Sequence, residues 1–261
     1  MLVAHAAANY AWSMATRRFV VITSARTGSS WLMDVLNGHD GVEGHQELFL
    51  RQMRLTPATA GCNDYPRFIE VHGMPRLTRP HRVFLYLERL YRRPGTIGFK
   101  LMYSHLRQQP EILAYLALRR VRIVHLVRRN HLDVIVSEEL AKLTGTSHAV
   151  SGQKLDIPAV SLDAATLVVR ITSLERNVAQ ARRIIRLSGC AAIEVSYEAL
   201  LDGDEELDRI RSFLDIVPGP IVARSGLVRR GARNHREAIT NFDEVTDALS
   251  GTPFLPLLRQ I

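Results

Sequence analysis

Cysteine is nearly absent from the 261-residue sequence: Cys62 and Cys190 are the two present, and they lack CxxC spacing. They are too few for a disulfide framework and wrongly spaced for a zinc or redox pair, so a reducing, cytoplasmic setting with no metal site is expected. No N-x-[ST] sequon occurs, and no apolar run is long enough to span a bilayer. The Ala-rich Met1–Met14 stretch contains His5 and Asn9 and lacks a basic lead, which predicts a loose arm over 1–17 rather than a signal or an integral membrane segment. Long basic runs are missing too. Basic residues fall in scattered pairs such as Arg92–Arg93, Arg119–Arg120 and Arg182–Arg183, a pattern that argues against nucleic acid as partner. Without repeats, low-complexity tracts or a linker, residues 18–261 read as a single domain. Oligomeric state is left open.

What is present is an ordinary globular composition, 46% hydrophobic and 23% charged, with a net charge of +8 from 34 Lys+Arg against 26 Asp+Glu. Most of the basic residues are arginine, whose planar fork suits phosphate and carboxylate, so an anionic ligand is the first expectation.

Short β-branched runs at Phe19–Thr23, Thr96–Leu101, Arg122–Val127 and Ala192–Val195 predict buried strands. Helical spacing appears at Ser29–Leu36, Glu111–Leu118, Leu132–Leu143, Ala164–Leu187 and Glu205–Leu214. Such alternation predicts an α/β fold of three layers, with a central parallel sheet covered by helices on both faces. Two stretches rich in Pro, Gly, Ser or Thr, Arg51–Arg82 and Leu143–Ser161, predict irregular loops in which binding specificity would lie.

Between the first strand and its helix stands Thr23-Ser-Ala-Arg-Thr-Gly-Ser-Ser30, where backbone N–H groups and the positive helix end converge on one point. It is not a Walker A loop: G-x-x-x-x-G-K-[ST] needs Gly at Thr23 and Lys at Ser29. Ala25-Arg-Thr-Gly-Ser-Ser-Trp-Leu32 instead resembles the 5′-phosphosulfate loop P-K-S-G-T-T-W-L of the PAPS-dependent sulfotransferases, in the R-[ST]-G-S-[ST] form common in bacterial and carbohydrate-directed members. Val127-Arg-Arg-Asn-His-Leu-Asp-Val-Ile-Val-Ser137 resembles the family's 3′-phosphate motif R-N-P-x-D with a Ser eight residues after the Arg, which puts Arg129, Asn130, Asp133 and Ser137 in step and His131 in place of Pro. Period-two alternation would turn Arg128 to the opposite face as a structural residue. Segments at Ile239–Val245 and Gly251–Phe254 are similar to the tail of nodulation-factor-like bacterial sulfotransferases.

The resemblance spans most of Arg18–Phe254 and implies a P-loop NTPase-like sulfotransferase fold, with PAPS as donor, 3′,5′-ADP (PAP) as product and a hydroxyl of a carbohydrate, lipid-linked or natural-product molecule as acceptor. It implies that Arg26, Thr27, Gly28, Ser29, Ser30 and Trp31 hold the phosphosulfate and that Arg129 and Ser137 hold the 3′-phosphate. Arg128 and Arg230 are further candidates for the nucleotide. Glu47, in Gly44-His-Gln-Glu-Leu-Phe49, resembles the base-bearing segment of carbohydrate sulfotransferases. His105, in Ser104-His-Leu106, resembles the catalytic-histidine segment of small-molecule sulfotransferases, although Lys100 stands five residues before it rather than two. His45 is a third base candidate, and Lys100 is expected to reach the transferring sulfonate. Two other readings remain open, a small-molecule or nucleoside kinase-like enzyme and a non-enzymatic polyanion-binding protein. Tyr197-Glu198, within Ser196–Leu200, reads as scaffold.

Overall fold

A computed structural model describes residues 17–51, 65–73, 80–145, 158–217 and 234–259. Its centre is a five-stranded, all-parallel sheet in the order β2-β3-β1-β4-β5. The strands are β1 (Arg17–Thr23), β2 (Val42–Glu47), β3 (Thr96–Met102), β4 (Arg122–Val127) and β5 (Ala192–Ser196). Four of the five were expected within two residues at either end. β2 was not, because VEGHQE has no apolar alternation; Asn37 holds it by accepting from the Gly44 N–H (2.5 Å) and donating to the Gly44 carbonyl (2.8 Å).

Alternation along the strands divides the core in two. Val20, Ile22, Phe99, Leu101 and Ile123 face one side. There they meet α2 (Phe68–His72), α3 (Pro80–Leu90), α4 (Tyr103–Gln108), α5 (Glu111–Leu118) and the C-terminal half of α7 (Ala164–Leu187). Phe19, Val21, Val124 and Leu126 face the other, against α1 (Ser29–Asn37), α8 (Tyr197–Asp202) and α9 (Glu205–Leu214). Helices therefore cover both faces, the three-layer α/β/α arrangement expected from the sequence. A third cluster joins α6 (His131–Thr144) and the start of α7 to α11 (Phe242–Leu249) and the terminal 3₁₀ turn Leu255–Arg259. Before α11 lies the short α10 (His235–Ala238).

The irregular stretch expected at Arg51–Arg82 contains helix at Phe68–His72 and from Pro80 onward. α2 lies inside it, and α3 starts at Pro80, where proline's missing N–H is an orphan in any helix. Residues 52–64 and 74–79 lie outside the described ones, as do 146–157 of the second expected loop, 218–233 with Arg230, and the arm at 1–16.

β1 is the switch point of the sheet, flanked by β3 and β4, with Thr23 beside both Met102 and Leu126. Open α/β sheets bind ligands at the carboxyl ends of strands at such a point. The loop after β1 occupies it.

Candidate active site

Ser24–Gly28 is a tight loop held by its own side chains. Thr23 Oγ1 donates to the Leu126 carbonyl (2.9 Å) and lies 2.5 Å from Thr27 Oγ1, which in turn reaches the Ser24 carbonyl at 3.1 Å. The buried Thr27 hydroxyl is thus committed to closing the loop. Two residues turn the chain through the left-handed region, Arg26 (φ 64) and Gly28 (φ 78). Gly28 is required twice over: its φ disfavours a side chain, and a Cβ there would fall onto the Tyr197 ring, closer than real Cβ contacts come. After Gly28, α1 begins with Ser29 and Ser30, both buried, whose N–H groups belong to the unpaired first turn of the helix. Trp31 is half-buried and packs against the Phe19–Val21 face of the core.

The loop and the β4–α6 segment meet. Arg26 Nε donates to Ser137 Oγ at 3.0 Å. Arg128, expected to turn away, faces the loop instead: it donates to the Arg26 carbonyl (3.2 Å), pairs with Asp133 (2.9 Å) and stacks over Tyr197 at 4.7 Å. The reason is that β4 ends at Val127, so strand alternation does not extend to residue 128. Arg129 is exposed, with its backbone N–H donating to Glu198 at 3.1 Å. Asn130 caps α6 by accepting from the Asp133 N–H.

On the other flank, Lys100 of β3 is 5% exposed and links two groups. Its Nζ donates to Ser30 Oγ at 3.1 Å and pairs with Glu47 Oε1 at 3.0 Å. Glu47 ends β2 just past a register shift at His45 and is one-quarter exposed, so its carboxylate is open to solvent from one side. His105, in the first turn of α4, places Nε2 3.8 Å from the other Glu47 oxygen and accepts from the Met102 N–H through Nδ1 at 3.3 Å. Burial, with Lys100 adding to it and Glu47 opposing, lowers the His105 pKa to about 4. The ring is therefore neutral near pH 7, and because Nδ1 accepts, its proton sits on Nε2 and faces Glu47. At 3.8 Å this Nε2–H lies beyond direct hydrogen-bond reach of the carboxylate. His45, 2% exposed, has Nε2 3.1 Å from Glu43 and packs on Tyr65.

The structure thus gathers Arg26, Ser30, Lys100, Glu47, His105 and Ser137 around the carboxyl ends of β1, β2, β3 and β4. Tyr197 and Glu198, read from the sequence as scaffold, wall the loop and hold the β4–α6 turn: Glu198 accepts from both the Arg129 and Asn130 N–H groups. A Ser196 helix cap precedes them.

Neither a protein-family model nor a curated protein matches the sequence. Among solved structures the chain is similar to a sulfotransferase from Alicyclobacillus acidocaldarius, with 16% identity, a TM-score of 0.47, and coverage of 94% of this chain and 97% of that one. It is also similar to mouse sulfotransferase SULT7A1 complexed with PAP, with 14% identity, a TM-score of 0.43, and coverage of 93% and 74%.

Proposed function

We propose that this chain is a sulfotransferase that moves a sulfuryl group from PAPS to an acceptor hydroxyl, with 3′,5′-ADP as the second product. The observation that carries this reading is the 3.0 Å bond from Arg26 to Ser137, which joins the loop that resembles a 5′-phosphosulfate cradle to the motif that resembles a 3′-phosphate site. ATP has no 3′-phosphate to occupy the second position. The residues present suit such a donor: an arginine and two hydroxyls at a helix N-terminus, a buried lysine next to them, and Arg129, whose guanidinium has no side-chain partner among the described residues.

In the proposed reaction the acceptor oxygen forms a bond to sulfur as the bond from sulfur to the bridging phosphosulfate oxygen breaks. Glu47 takes the hydroxyl proton, with His105 Nε2 standing 3.8 Å from its second oxygen. Arg26 stabilises the charge that builds on the departing oxygen, and donors of this kind are worth about 3 kcal/mol each in a transition state. Lys100, tied at once to Ser30 and Glu47, spans the gap between the cradle and the base, where the sulfonate would pass. Arg129 and Ser137 take the 3′-phosphate. A carbohydrate, lipid-linked or natural-product hydroxyl is the acceptor class. The setting proposed is the cytoplasm, which fits the unbridged thiol of Cys190. Among the described residues no helix is long and apolar enough to cross a membrane.

Calorimetry with 3′,5′-ADP, ATP and AMP in parallel tests the reading. Binding of 3′,5′-ADP well above the other two is expected, and ATP binding without 3′,5′-ADP binding overturns it in favour of a kinase-like enzyme.

A further inference from the structure

His235 opens α10, far in sequence from the loop, and is 1% exposed. Its Nε2 lies 2.9 Å from Asp133 Oδ1, while Nδ1 is buried without a hydrogen-bond partner. A buried polar atom left unmatched is costly, so the contact with Asp133 is what this histidine is placed for. The other Asp133 oxygen pairs with Arg128 at 2.9 Å. Burial works upward on the Asp133 carboxyl, but the His235 hydrogen bond and the Arg128 charge outweigh it and hold the group ionised below the ordinary range.

Arg128 is spent in the same direction. One nitrogen bonds Asp133, another donates to the Arg26 carbonyl at 3.2 Å, and the guanidinium carbon lies 4.7 Å from the centre of the Tyr197 ring, which also fills the space beside Gly28. The carbonyl it grips belongs to a left-handed residue, a conformation an arginine does not adopt without support. In a planar trans peptide the C=O and the following N–H point in opposite directions. Holding the Arg26 carbonyl toward Arg128 therefore aims the Thr27 N–H away from it.

We propose that His235 is a positioning residue of the anion-binding loop, acting through Asp133 and Arg128 on the Arg26–Thr27 peptide. Arg128 is then the clamp behind the loop rather than a contact to the ligand, which leaves the 3′-phosphate to Arg129. The geometry of the relay stands without any assigned substrate; its consequence for donor affinity rests on the sulfotransferase reading above.

The test compares three substitutions at one position. In Gln the amide nitrogen can stand where His Nε2 stands and reach Asp133; in Asn it falls nearer Nδ1 and cannot; Ala removes both. Hydrogen exchange of the segment covering Thr23–Ser30, measured without ligand, should quicken about tenfold in His235→Ala and His235→Asn and stay near wild type in His235→Gln. The Kd for 3′,5′-ADP should follow the same order, rising about tenfold in the first two. Equal loop exchange in wild type and all three variants overturns the relay, as does equal disturbance in all three, which would mark a packing role. If His235→Ala fails to fold, the Asn and Gln pair still decides. Loop exchange in the expected order with a wild type that binds no 3′,5′-ADP upholds the relay and overturns the donor assignment instead.

Discussion

His105→Asn should make the protein less sensitive to acid, and the size of the effect follows from where the ring sits. In the folded chain its pKa is lowered from 6.5 to about 4 by burial beside Lys100, with Glu47 pulling the other way. Unfolded, it returns to the ordinary value. Between those two values the unfolded chain binds a proton that the folded one refuses, so stability is constant above the unfolded value and falls as pH drops toward the folded one. Going from about pH 7.5 to about pH 5, this one group should remove about 2 kcal/mol. Asn can keep the acceptor for the Met102 N–H at the Nδ1 position while having no charge to gain. Urea unfolding of both proteins at the two pH values gives the measurement, and the loss in wild type should exceed that in the variant by the stated amount. Other groups, including Asp133 and Glu194, whose lowered values also cost stability in acid, cancel in the difference. Parallel losses in the two proteins would refute the buried, neutral histidine.

Glu47→Gln should leave the Kd for 3′,5′-ADP within a few-fold of wild type and lower turnover by about a hundredfold or more, read in a sulfuryl-transfer assay with radiolabelled PAPS. Full activity in that variant would remove Glu47 from the base role. Gly28→Ala should cost about 1 kcal/mol for the left-handed backbone alone, with more from displacing Tyr197, and a thermal melt should fall by roughly 3 °C for each kcal/mol. An unchanged melting temperature would contradict the packing of Tyr197 against the loop.

How far the sequence could be read depended on whether a feature is local. β1, β3 and β4 announce themselves because strands buried on both faces are continuous apolar runs. β2 is a polar edge strand fixed by the Asn37 side chain, an interaction with no periodic trace. The loop and Ser137 stood out as motifs, and Lys100 and Glu47 were named, yet the placing of Lys100 between Ser30 and Glu47 depends on β3 lying between β1 and β2, a neighbour relation invisible to spacing. Arg128 was assigned to the wrong side because its direction is set by the end of β4 and by Asp133 and Tyr197 from other elements. The chain that runs from buried Tyr103 and His125 out to exposed Glu194 and Arg182 gave no signal at all, being drawn from α4, β4, β5 and α7.

The central place of β1 also matters while the protein is being made. Arg17 is paired with Thr96 and Phe19 with Arg122, so β1 leaves the ribosome well before either of the strands that close it in. At ordinary translation speeds the Phe19–Ile22 run waits roughly five to twenty seconds for its second neighbour. An uncharged β-branched segment left bare for that time invites strand-to-strand association between nascent chains. Arg17 and Arg18 stand immediately before it, and in that interval, before Arg17 has found Asp215, their charges serve as gatekeepers against aggregation.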